Sequence, residues 1–162
     1  MPPRILYDLD QLDFAKPQYT LEDIRNAIPQ RYEFEQLTAI VKLCSEDHLV
    51  VGYKDVREDE FWVRGHIPGR PMLPGVLMIE AAAQLCSFYQ ATSVESSRFF
   101  AFGGADNVKF RGSVLPGARL ILLSKGLRLH PRRSVFYNQG VVDGKLVFEG
   151  EILGIQADPP NE

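Results

Sequence analysis

GHIPGRPMLPGVLMIEAAAQ, running from Gly65 to Gln84, decides how the rest of the chain is read. It opens on one histidine, His66, followed by a loop that Pro68, Pro71 and Pro74 stiffen and that Gly69 and Gly75 allow to approach other backbone closely. From Gly75 the sequence turns apolar, and between Pro71 and Val94 the only charged residue is Glu80. A helix that is apolar nearly all round is a buried helix, here expected from Gly75 to about Tyr89. A lone carboxylate on such a helix is costly unless it has a partner or a task.

Glu80 and His66 are therefore the candidate acid and base. A carboxylate on a helix ordinarily faces water, but Met78, Ile79, Ala81, Ala82 and Ala83 leave no polar face around this one. Gln84 follows one turn later, where its amide can orient the carboxyl. Burial favours the protonated form of a carboxylic acid, so Glu80 is expected to donate a proton. Pro74-Gly75 puts bare N–H groups of Gly75 and Val76 at the positive end of the helix dipole, where they can hold a developing oxyanion. Base, acid and oxyanion donors together suit proton abstraction beside a carbonyl. His48 and His130 stand at no ligand-like spacing to His66, so a metal centre is not expected. There is also no nucleophile elbow and no glycine-rich phosphate loop.

Outward from this centre the pattern is mostly β. Leu37–Cys44 and His48–Tyr53 read as strands paired around a turn at Ser45-Glu46-Asp47. Beyond the helix, strands are expected over Phe99–Phe110, Ala118–Leu129, Ser134–Val142 and Lys145–Gln156. Asp143-Gly144, between the last two, is a tight hairpin signal. Thr20 with Asp23 forms a capping box opening a short helix that Pro29 ends. Residues 1–19 read as an irregular arm, 20–157 as one domain and 158–162 as a frayed tail. One long apolar helix among about six antiparallel strands is an α+β sheet wrapped around a helix.

Composition narrows the function. A net charge of -3 argues against a general nucleic-acid binder. The N-terminus has no apolar signal region, and no stretch reaches the ~20 apolar residues of a membrane span. Cys44 and Cys86 form no spacing motif and read as reduced core residues, which points to a cytoplasmic protein.

The stretch from Gly65 to Gln84 resembles the signature of the β-hydroxyacyl-(acyl carrier protein) dehydratases, more closely the FabZ-type branch, which has Glu at the acid position. Ile28-Pro29-Gln30-Arg31-Tyr32, Lys109-Phe110-Arg111 and Val114-Leu115-Pro116-Gly117 align in order around it, so the resemblance spans roughly Leu21 to Gln156. It implies a hot-dog fold, with the helix as sausage and the sheet as bun. It also implies homodimers, often three pairs together, in which His66 of one chain faces Glu80 of the other. In the implied reaction His66 takes the α-proton of a 3-hydroxyacyl thioester carried by acyl carrier protein. Glu80 protonates the departing hydroxyl, the Gly75 amide holds the thioester carbonyl, and no metal or organic cofactor takes part. Phe61, Trp62, Val63 and Phe110 are candidates for the acyl tunnel. Lys109 and Arg111, at alternate positions around Phe110, are candidates for a carrier-docking rim, with Arg70, Arg132 and Arg133 as rivals.

The chain departs from the family pattern at Gln30, Glu33, Glu35-Gln36 and Thr38, where a His, a Pro, an apolar run and an Asp are usual, and at Ala118, where Asp is usual. Two alternatives stay open: a hot-dog thioesterase in which Glu80 activates water, and a non-catalytic acyl or carrier-protein binding module.

Overall fold

The computed structural model describes residues 1–94 and 99–158. Two α-helices and six strands follow the chain: α1 (Leu21–Ala27), β1 (Ala39–Cys44), β2 (Leu49–Asp55), α2 (Gly75–Ser93), β3 (Phe99–Phe110), β4 (Arg119–Arg128), β5 (Arg133–Val142) and β6 (Lys145–Ala157). The strands form one antiparallel sheet in the order β1-β2-β4-β5-β6-β3. The sheet curls around α2, which touches β2, β3, β4, β5 and β6. This is the α+β arrangement expected.

Local chemistry accounts for the boundaries. Thr20 and Asp23 close both bonds of the capping box on α1. Asp143 and Gly144 both take positive φ, the geometry of a two-residue hairpin turn between β5 and β6. Helix α2 begins at Gly75 as expected but runs to Ser93, a turn past Tyr89. Gln90, polar in sequence, is buried and donates from Nε2 to the His130 carbonyl at 3.1 Å, so the last turn stays docked.

Residues 5–12 of the N-terminal arm lie across the outer face of the sheet. Ile5, Leu6, Leu9 and Leu12 cover Leu49, Val51, Leu123 and Val141, while Val50 and Leu122 on the opposite face pack with α2. Strand β2 is thus buried on both faces. Gln139, fully buried on β5, clamps this arm: its Oε1 accepts from Leu6 N at 2.8 Å and its Nε2 donates to the Arg4 carbonyl at 2.9 Å. The frayed tail expected at 158–162 lies outside the described residues apart from Asp158.

The cysteines divide. Cys86 is buried against Ser124 and Asn138, and burial pushes its thiol up to about 12. Cys44 is not a core residue as expected. It ends β1 as the strand leaves the core, half-exposed, with Sγ 3.3 Å from the Asp47 carboxylate.

Candidate active site

His66 is held by a loop anchored in the core. Lys54 on β2 and Glu60 form a buried ion pair, Nζ to Oε1 2.6 Å, with side chains only 3% and 5% exposed. The same carboxylate accepts from the Trp62 indole N–H at 3.3 Å and, through Oε2, from Arg57 N at 2.8 Å. Trp62 is packed in the core, and its carbonyl accepts from His66 N at 2.8 Å. Further on, Met72 N donates to the His66 carbonyl at 3.0 Å and Leu73 N to the Val114 carbonyl at 2.8 Å. The His66 ring joins in: Nδ1 lies 2.8 Å from the Met72 carbonyl oxygen. A carbonyl only accepts, so Nδ1 carries the proton and Nε2 of the neutral ring keeps its lone pair for a base's work.

Helix α2 starts without a side-chain cap; Pro74 stands at the N-cap, and its carbonyl accepts from Leu77 N and Met78 N. The N–H groups of Gly75 and Val76 precede any acceptor within the helix. Val76 is 70% exposed, so these donors sit at an open end. Gly75 is required sterically. A Cβ there would stand 2.8 Å from Cζ of Phe110, whose ring lies on the helix start and stacks on Phe148.

Glu80 lies five residues into α2, half-buried in the chain. Its Oε1 accepts from Gln84 Nε2 at 2.8 Å, the one-turn contact expected from the spacing. Gln84 is buried and fully committed: the same Nε2 donates to the Phe34 carbonyl at 2.6 Å, and Oε1 accepts from Gln36 N at 3.1 Å. Segment 30–36 is thereby tied to the carboxylate. Arg31 reinforces it by donating to the carbonyls of Arg25, Ile28 and Gln30. Arg25 and Glu35 add a forked ion pair at 2.6 and 3.0 Å, and this pairing holds the Glu35 carboxyl below its ordinary range.

A cavity of about 190 Å³ opens beside Glu80, running along Ala83, Gln84 and Ser87 under Phe99–Phe102 and Ile152–Gly154, with Gln30 in its wall. Glycine at 154 makes room for the Phe100 ring, 1.8 Å from where a Cβ would stand. None of the four residues expected to line the acyl tunnel borders this cavity. Phe61 is exposed in a separate hollow beside Tyr32 and Arg57, Trp62 is a core anchor, and Phe110 covers Gly75. Val63 lines a third cavity of about 670 Å³ with Glu58, Arg70, Met72 and Leu115. The apolar walls near Glu80 come from β3 and β6 instead, and only the phenylalanines spaced along Phe99–Phe102 hinted at them.

His66 borders none of these cavities, and no hydrogen bond joins it to Glu80 among the described residues. Among the described residues, no group of three or more His, Cys, Asp or Glu is placed to hold a metal. Lys109 and Arg111 share a face opposite Phe110, as their alternation implies, but Arg111 is committed to Glu149 at 2.9 Å. No helix among the described residues is long and apolar enough to cross a membrane.

A sheet curled round one helix, with an uncapped helix start and an amide-oriented carboxyl, defines a hot-dog protein equipped for acid–base work. The chain belongs to the FabA-like family, whose domain matches residues 28–151. It is 37% identical over 134 residues, 82% of this chain and 92% of the relative, to the 3-hydroxyacyl-(acyl-carrier-protein) dehydratase FabZ of Clostridium botulinum. Two solved structures share the fold at low identity. The dehydratase heterocomplex ApeI:P of Xenorhabdus doucetiae superposes with a TM-score of 0.70 at 16% identity, covering 83% of this chain and 91% of that one. A sigma28-regulated virulence protein of Campylobacter jejuni gives 0.65 at 15% identity, covering 89% and 96%.

Proposed function

We propose that this chain is a 3-hydroxyacyl-(acyl carrier protein) dehydratase of fatty-acid synthesis, a hydro-lyase that converts a 3-hydroxyacyl thioester to the trans-2-enoyl thioester and water. The observation that carries the reading is that both reactive side chains have one atom committed to the fold and one left free. His66 spends Nδ1–H on the Met72 carbonyl and offers Nε2. Glu80 receives the Gln84 amide at Oε1, which leaves Oε2 to carry the transferable proton.

His66 Nε2 removes the C2 proton, and the electrons left on C2 delocalise into the thioester carbonyl, held by the Gly75 or Val76 amide at the helix start. They return to form the C2–C3 double bond as the C3–O bond breaks, and Glu80 protonates the leaving hydroxyl to give water. His66 returns its proton to Glu80 between turnovers through solvent. The working unit is a homodimer in which His66 of one protomer faces Glu80 of its partner. Two features support this: no hydrogen bond joins the two residues among the described residues, and β3 is a long edge strand with Phe99, Phe102 and Phe110 exposed. Such an edge invites pairing with a second copy.

The test is dehydration of a 3-hydroxyacyl thioester on acyl carrier protein, followed by enoyl-thioester absorbance. His66→Ala and Glu80→Gln are each expected to lower turnover at least ~100-fold while the protein stays folded. Mixing the two inactive variants under subunit exchange should restore activity, and a chain carrying both lesions should restore none. Near-wild-type turnover in either single variant overturns the assignment. Release of free thiol without enoyl product would mark a thioesterase.

A further inference from the structure

The cavity beside Glu80 has an apolar shell with one polar stretch that the reaction does not use. Its walls are Phe99, Phe100, Phe102, Ile152 and Leu153, yet Gln30 and Ser87 also face it. The Oε1 of Gln30 is buried with no hydrogen-bond partner, and nothing else among the described residues bonds the Gln30 amide or the Ser87 hydroxyl. Gln84, in the same wall, has every polar atom engaged. An unpartnered amide against apolar walls is disfavoured unless something that enters the cavity satisfies it.

Position and size say what enters. Glu80, Ala83, Gln84 and Ser87 share one face of α2, so the cavity leads away from the acid for roughly 10 Å along the helix. A 150 Å³ apolar cavity holds benzene, so about 190 Å³ takes on the order of six to eight heavy atoms. That is the span of an acyl chain beyond its reacting carbons. No Lys, Arg or His lines the cavity, so a carboxylate at the chain's end would be buried without a counter-charge. A hydroxyl both donates and accepts, matching the unpaired Gln30 Oε1 and the Ser87 hydroxyl that line the same cavity.

We propose that Gln30, assisted by Ser87, is a specificity residue that binds a hydroxyl at the far end of the acyl chain. The preferred substrate is then a medium-length 3-hydroxyacyl thioester carrying a second, terminal hydroxyl. This rests on the dehydratase reading above and adds the chemical class of the chain.

The experiment compares kcat/KM for two 3-hydroxyacyl thioesters of about eight carbons, one ending in methyl and one in hydroxyl, with a 3-hydroxybutyryl thioester run alongside on the wild type. One hydrogen bond predicts about a tenfold preference for the hydroxyl-ended chain. Gln30→Leu should abolish or invert that preference, and Ser87→Ala should weaken it in the same direction. A wild-type ratio at or below one overturns the proposal whatever the variants do. A ratio that Gln30→Leu leaves intact also overturns it. If Gln30→Leu does not fold, an unchanged ratio in Ser87→Ala does the same. Dehydration of all three thioesters without preference sinks this inference alone. Failure to dehydrate any of them sinks the dehydratase reading and this one with it.

Discussion

The two halves of the site are held by different means. The loop carrying His66 hangs from main-chain bonds and from a charge pair removed from water, Lys54–Glu60. Glu80 is held by a neutral amide: Gln84 bonds it, and segment 34–36 in turn bonds Gln84. Around the base none of the described buried side-chain nitrogens or oxygens is left unpaired. Around the acid, Gln30 and Gln36 each leave a buried oxygen unpaired. A base that must present one nitrogen in one orientation suits a rigid mount. The acid side borders the cavity, where small polar substitutions can change what fits without touching the mount of the base.

Breaking the mount of the base should cost the most. Lys54→Met strands the Glu60 carboxylate in the core, and removing one partner of a buried pair typically costs about 3–5 kcal/mol. Urea denaturation of Lys54→Met should show that loss, and Lys54→Met with Glu60→Leu should recover part of it. If the single variant costs no more than a surface substitution, the pair does not hold the loop. Gln84→Leu comes next. It orphans Gln36 N and the Phe34 carbonyl at about 1–3 kcal/mol, and it frees the Glu80 carboxyl to rotate, so kcat should fall further than KM rises. A KM effect alone would mean that Gln84 supports segment 34–36 and not the acid. The smallest effect belongs to Glu35, whose carboxyl Arg25 holds below its ordinary range. A depressed carboxylate stabilises the fold above its unfolded pKa, and that stability is lost as pH falls through the folded value. Arg25 is substantially exposed, so solvent screens the pair and its contribution is small. Glu35→Gln should lower stability slightly at neutral pH and flatten its decline below about pH 4. Equal acid sensitivity in variant and wild type would show the pair to be idle.

Much of this was legible because it is local. Thr20 with Asp23, Asp143-Gly144, the helix start at Gly75 and the contact of Glu80 with Gln84 all lie within a turn or two of sequence, where spacing alone sets geometry. The helix inside a sheet followed from one long apolar run among strands. What spacing could not reveal is long-range. Lys54 and Glu60 carry no sequence signal, because no periodicity marks a pair across a loop. The walls near Glu80 are built from β3 and β6, remote in sequence, and no local spacing ties them to the acid. Glu80 itself stays half-open in the chain, because its last neighbours are not on its own helix. The apolar run Leu49-Val50-Val51 did carry a signal of burial on both faces, which the docked arm explains.

The clamp on that arm also sets an order of events during synthesis. Leu6 and Gln139 are 133 residues apart, so the arm must wait for a strand that is made much later. Until β5 has joined β4, Ile5, Leu6 and Leu9 find only Leu49, Val51 and Leu123, without Val141 and without the Gln139 clamp.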